Sequence, residues 1–212
     1  LIGAVEDMAA IGGHYKDVFV TRDICRAARA GFEVPKLRAP PNDIDPIWRS
    51  FPDQYVTITL REATNWSHRN SNVNEWMKFA DYLTGRGENV VFLRDTAKAD
   101  EPIEGYMTCP EASRDLIRRM ELYDHARCNL FVSNGPAVLG VFGTRPWLEF
   151  VRLEPEDSGY APDTPIFWAK HHGVAVGTQY PWSAPDQCLV WKPDTYENMV
   201  EAWNAHIAPH IA

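Results

Sequence analysis

Basic excess, cysteine pairs and long apolar runs are all scarce in this sequence. With 21 Lys and Arg against 29 Asp and Glu, the formal net charge is -8. That argues against a general nucleic-acid binder, whose affinity rests on basic surface. Cys25, Cys109, Cys128 and Cys188 stand far apart without a CxxC pair, so neither a zinc knuckle nor a redox motif is indicated. The plain expectation is reduced thiols and a cytoplasmic protein. No uninterrupted apolar run approaches the ~20 residues of a membrane span. Neither GxGxxG nor GxxxxGK occurs, which weakens dinucleotide and P-loop readings. Internal repeats and low-complexity tracts are absent as well. What remains is a globular composition, 45% hydrophobic and 24% charged over 212 residues, enough for one good-sized core.

The chain is organised around Asn129 to Gly140. Leu130-Phe131-Val132 suits an interior strand of a parallel sheet, and Ser133-Asn134-Gly135-Pro136 reverses the chain into a helix. Gly135 offers backbone freedom for the turn, and Pro136 suits a first helical position, where its missing N–H costs nothing. A helix opening at the carboxyl end of a strand is where open α/β sheets bind anions and nucleotides. An ordinary strand-to-helix connection is the competing reading.

The lead is hard to place. Val18-Phe19-Val20 reads as a short strand, Asp23 to Ala30 as a helix ending at Gly31, and the proline-rich Val34 to Asp43 as extended connection. From Tyr55 the pattern becomes regular. Tyr55 to Leu60 is β-rich, then Asn72 and Glu75 have capping-box spacing ahead of Trp76, Phe79, Ala80 and Leu83 on one helical face, with Gly85 and Gly87 as the stop. Asn89 to Leu93 is the next strand, followed by Arg94-Asp95-Thr96 and a loop from Ala97 to Thr108. Pro110 to Ala126 reads as one helix, and the arginines in and just after it, at 114, 118, 119 and 127, mostly balanced by nearby acids, read as a solvated face. Pro146 to Phe150 is another strand, Glu154 to Pro165 loop, and Phe167 to His172 a helical stretch. A final helix carries Tyr196, Met199, Val200, Trp203 and Ile207, with Asp194 and Glu197 at capping distance. Strand and helix in alternation predict an α/β, Rossmann-like open parallel sheet with helices on both faces and all strand-end loops on one edge. Strands at about 55–60, 89–93 and 129–133 are its centre.

That edge collects the candidate site: Arg61, Arg69, Asp95, Thr96, Glu111, Ser133, Asn134 and Gly135. Arg61 leaves a buried strand and either pairs with an acid such as Glu62 or Asp95 or faces an anionic ligand. Arg69, among Asn and Ser residues that offer no acid, is placed to hold a diphosphate beside free helix N–H groups. Asp95-Thr96 reads equally as a strand-ending turn, and Glu111 as a helix-dipole acid or a ribose ligand. His68 is a candidate base by position only, and no nucleophile set with a local signature is present. Metal is not expected. His171 and His172 are adjacent and diverge in regular structure, and His206 and His210 flank Pro209 at the chain end. No cofactor is expected either.

Several short motifs carry a resemblance: Thr59-Leu60-Arg61, then Arg69-Asn70-Ser71-Asn72 and Glu75-Trp76, then Leu122 to Ala126 and Leu130 to Pro136. Their order from Tyr55 to Phe150 resembles the carboxyl-terminal, nucleotide-sugar-binding domain of GT-B-fold glycosyltransferases, most closely the heptosyltransferase type. The arginines of the first loop also resemble those of fucosyltransferases of related fold. The chain departs from the family turn at two points: it lacks the Asp-Ser pair, and Ala-Val-Leu follows Gly-Pro where a His often stands. The resemblance implies half of a GT-B fold. Residues 1–52 would be the tail of an amino-terminal acceptor domain plus linker, with exposed apolar surface, and residues 53–212 the donor-binding domain with its C-terminal helix. The chain, opening at Leu1 without a signal-peptide pattern, would then be part of a two-domain protein. Its partners would be a nucleotide-sugar donor and a glycan, lipid or protein acceptor, with the acceptor-activating base in the other domain. A nucleotide-sugar epimerase, a pyruvyl transferase and a non-catalytic nucleotide- or partner-binding module are the alternatives.

Overall fold

A computed structural model describes residues 20–41, 46–155 and 163–211. Its elements in chain order are α1 (Val20–Arg29), β1 (Val56–Thr59), α2 (Val73–Thr84), β2 (Val90–Leu93), β3 (Met107–Thr108), α3 (Pro110–Arg114), α4 (Leu116–His125), β4 (Cys128–Val132), α5 (Ala137–Val141), β5 (Trp147–Phe150), α6 (Pro165–Phe167), β6 (Gln187–Val190), α7 (Tyr196–His206) and α8 (Ala208–Ile211). The six strands form one sheet in the order β3-β2-β1-β4-β5-β6, and every pairing is parallel. The expected open parallel sheet is therefore present, with its three central strands where the apolar runs placed them. Strand order reverses between β1 and β4, which begin their ladders side by side at Val56 and Cys128.

The sheet is parallel because its strands are apolar on both faces and helices intervene to cover them. On one side Val56, Ile58, Phe92, Leu130, Leu148 and Phe150 pack under α2 and α7 through Trp76, Phe79 and Trp203. On the other, Val91 and Leu93 pack under Leu122 and Tyr123 of α4, while Phe131 and Trp147 meet α5, Cys25 of α1 and Trp168. Gly140 allows α5 to lie close, since a Cβ there would come within 2.8 Å of the Phe131 ring. The extended segment after α1 is tied to the body by Leu37 N–H to the Phe142 carbonyl at 2.8 Å and Ala39 N–H to the Asp124 carboxylate at 2.6 Å.

Tertiary structure corrects several local expectations. Val20 opens α1 rather than closing a strand, and residues 18 and 19 lie outside the described residues. The loop expected up to Thr108 ends in the short edge strand β3, paired only at Met107 and Thr108, and β6 lies in a stretch where no strand was expected. The helix expected over 110–126 is two helices. Asp115 leaves helical geometry, and its carboxylate caps α4 by accepting from Ile117 N–H at 2.7 Å and Arg118 N–H at 3.2 Å. As a result Arg119 turns inward to 3% exposure instead of joining a solvated face.

The two expected capping pairs are exchanged. Asn72 makes no side-chain cap. Asp194 instead accepts from Asn72 N–H and from Trp76 Nε1–H, both at 2.8 Å, and Glu75 accepts from Tyr196 N–H at 2.9 Å. Each helix thus lends its neighbour a carboxylate, which binds α2 to α7 at the end facing the site. Thr195 provides the local cap of α7.

Candidate functional site

Parallel strands deliver their carboxyl ends to one edge, and two clefts open there. The first is lined by His68, Arg69, Ser133, Arg152, Asp163 and Asp194 among others. The second lies at the ends of β1, β2 and β4 and is lined by Thr59, Arg61, Asp95, Thr96, Asn134 and Arg119 among others. They enclose about 20 and 70 Å³, against the ~300–1,000 Å³ of a complete small-molecule pocket. Neither is large enough by itself to enclose a nucleotide sugar.

In the first cleft Asp163 is the hub. One of its carboxylate oxygens lies 3.0 Å from His68 Nε2 and the other 2.8 Å from Arg69 Nε, so Arg69 does have an acidic partner, brought from far along the chain. Arg61 is bound into the loop it precedes. Its Nη1 donates to the Trp66 carbonyl at 3.1 Å and to Asn70 Oδ1, and its Nη2 to the Asn65 carbonyl at 3.0 Å. This wrapping holds Trp66 in a left-handed conformation, φ 58°, and fixes Arg69 over the Trp66 ring at 5.9 Å. Partial burial and the neighbouring Arg69 charge lower the Arg61 pKa from its ordinary value; a guanidinium stays cationic nonetheless.

The Ser133 to Pro136 turn is built differently from the sequence expectation. Gly135 is not among the glycines with positive φ. Asn134 closes the turn, donating from Nδ2 to the Val132 carbonyl at 3.0 Å and accepting Ala137 N–H at 2.9 Å. The helix that follows has only 5 residues, and its first amides are engaged within the turn, Val138 N–H to the Gly135 carbonyl and Leu139 N–H to that of Pro136. This helix start therefore presents no set of free N–H groups to an anion. Ser133 lines the first cleft and Asn134 the second, whereas Gly135 lines neither.

Asp95 and Thr96 reach the second cleft while serving as a turn. Asp95 accepts Thr96 N–H at 2.8 Å and Glu62 N–H at 3.3 Å, and Thr96 Oγ1 donates to the Ser113 carbonyl at 3.0 Å. Glu111 is exposed in the first turn of α3 and lines neither cleft.

No family model matches this chain, and no curated protein matches it. Its structure is similar to the crystal structure of the glycosyl transferase family 9 protein from Veillonella parvula DSM 2008. The TM-score is 0.51 at 10% sequence identity, over 89% of this chain and 52% of that one. The two chains share a fold. The Rossmann-like sheet expected as half of a GT-B fold is thus found in a solved glycosyl transferase, and this chain spans about half of that protein's length.

Three residues of the edge were not among the candidates read from the sequence. Asp163 follows a stretch outside the described residues and meets His68 and Arg69 only in the fold. Arg119 was hidden among surface arginines. Glu149 stands alone as an acid in the apolar strand Trp-Leu-Glu-Phe, a signal that was readable; it is 4% exposed with Oε2 unpartnered. Burial pushes its pKa up to about 7, with the Ser133 hydroxyl and the Arg69 charge acting the other way. Among the described residues no group of three His, Cys, Asp or Glu side chains is placed to hold a metal ion, and no helix is long and apolar enough to cross a membrane.

Proposed function

We propose that this chain is the donor-binding part of a GT-B-like glycosyltransferase, of heptosyl- or hexosyl-transfer type, moving a sugar from a nucleotide diphosphate sugar to a glycan, lipid or protein acceptor. The observation that carries the reading is the pair of cation-bearing clefts at the carboxyl edge of the sheet, flanking the reversal of strand order. Open α/β sheets bind nucleotides at such a reversal. The half-length likeness to a glycosyl transferase supports it, and the small volume of both clefts suits a site completed by another domain. In this reading residues 1–52 are the tail of that domain and its linker, and residues 53–212 the donor domain. Val20 and Phe32, 61% and 71% exposed, are apolar surface in the lead. Four unpaired, buried cysteines suit a reducing, cytoplasmic setting.

During transfer the bond from the anomeric carbon to the diphosphate oxygen breaks, a bond to the acceptor oxygen forms, and the acceptor proton passes to a base. The chain's part is to hold the departing diphosphate by fixed cations and donors. Arg61 and Arg69 carry charge, Ser133 and Asn134 line the two clefts, and Asp95 and Thr96 shape the floor; Glu111 and Gly135 stand outside this set. Calorimetric titration with nucleoside diphosphates and a panel of nucleotide sugars, followed by assay for hydrolysis or transfer, is the test. Binding with turnover is the expected result once the acceptor half is supplied. Binding without turnover in that complete protein marks a non-catalytic module, and absence of binding removes the reading.

A further inference from the structure

Arg119 combines 3% exposure with a guanidinium nitrogen, Nη1, that has no hydrogen-bond partner. Its Nε donates to the Ala112 carbonyl at 2.8 Å, a neutral partner. The acids around it in sequence are engaged elsewhere: Asp115 caps α4, Glu121 takes Arg118 and Ile47 N–H, and Asp124 takes Ala39 N–H. A guanidinium cannot shed its charge by deprotonation, and burying it without an anion is costly.

The fold holds this charge in place. One turn further along α4 the Tyr123 hydroxyl lies 2.7 Å from Thr59 Oγ1, and Tyr55 donates to the Leu122 carbonyl at 2.8 Å. Both contacts clamp α4 against β1, so that Arg119 lines the second cleft at the strand-order reversal. Of the other charges there, Arg94 is matched by Glu62 at 2.6 Å and Glu101 at 3.3 Å, and Asp95 accepts two backbone N–H groups. Arg61 gives its donors to carbonyl oxygens of its own loop. The cleft is left with positive charge, and the arginine in its wall with an unused buried donor.

We propose that the second cleft is an anion site anchored by Arg119, whose Nη1 donates to a phosphoryl oxygen of an inorganic phosphate or of a nucleoside diphosphate. The inference concerns which group is held and stands whether or not a sugar is transferred. The test titrates the full chain with inorganic phosphate, pyrophosphate and nucleoside diphosphates against sodium chloride at equal ionic strength. It reads melting temperature and the 15N guanidinium resonances, for the parent, Arg119→Lys, Arg119→Met and the exposed control Arg114→Met. A phosphate-bearing arm should stabilise the parent and the control beyond chloride. Affinity should fall at least tenfold in Arg119→Met and less in Arg119→Lys. A response to inorganic phosphate assigns the free ion, and a response to nucleoside diphosphates alone assigns the nucleotide; either supports the site. Should Arg119→Met fail to fold, the parent decides, because the resonance missing from Arg119→Lys must move with the titrated phosphate. No response beyond chloride, an unmoved Arg119 resonance, or affinity of Arg119→Met within twofold of the parent would overturn it.

Discussion

Replacing Glu149 by Gln should change the pH dependence of stability in a defined window. Glu149 lies in β5 on the face shared with Trp147 and Val151, at 4% exposure and with one carboxylate oxygen unpartnered. Burial raises its pKa from the ordinary 4.5 to about 7 in the folded chain. Below 4.5 the carboxyl is neutral in both states and contributes no pH dependence. Between 4.5 and 7 the unfolded chain has released the proton while the folded chain keeps it, so stability falls as pH rises. Above 7 both are ionised and the loss is complete. At about 1.4 kcal/mol per pH unit the window amounts to about 3 kcal/mol. Urea unfolding of parent and Glu149→Gln from pH 4.5 to 8.5 reads this directly. The stability difference should move in favour of the Gln variant by about 3 kcal/mol across the window and then stay level. An unsatisfied amide N–H would offset the whole curve by ~1–3 kcal/mol without altering its slope. A difference that is flat with pH would refute the reasoning. Because Ser133 both hydrogen-bonds Glu149 and lines the first cleft, anion binding there should weaken over the same window in the parent and not in the variant.

Arg69→Ala removes a charged partner of Asp163, whose side chain is 8% exposed, so it should cost about 2 kcal/mol in thermal or urea unfolding. It should also weaken nucleoside diphosphate binding by roughly 1.5–3 kcal/mol in calorimetry, with Arg69→Lys recovering part because a point charge cannot reproduce a planar two-pronged contact; equal affinities would take Arg69 out of the site. Asp194→Ala leaves the buried Trp76 Nε1–H and the Asn72 N–H without their acceptor, a loss of about 2–3 kcal/mol by urea unfolding, which Asp194→Asn should largely restore. Gly140→Ala puts a methyl within 2.8 Å of Phe131, a ring held between Tyr123 and Trp147, and should lower stability by about 1–3 kcal/mol.

The sequence by itself determined the sheet. Apolar runs such as Val90 to Leu93 and Cys128 to Val132, spaced by amphipathic helices, leave little choice but parallel strands with covered faces, because both requirements are local and periodic. It also determined the edge on which Arg61, Asp95, Ser133 and Asn134 meet, since right-handed crossovers bring all strand ends to one side. Elements whose reason is not local were out of reach. β3, two residues at one sheet margin, is made by pairing rather than by pattern, β6 at the other margin follows a long irregular stretch that blurs its apolar run, and Asp115 breaks a helix that composition alone would continue. Partner choice was decided only by the fold. Asp163 comes to His68 and Arg69, Asp194 caps α2 while Glu75 caps α7, and Glu149 and Arg119 lose their water, each through contacts between segments distant in sequence. Charge type can be read along a chain, but burial and the identity of a counter-charge exist only once separate segments share a volume, and those two quantities set what the edge can bind.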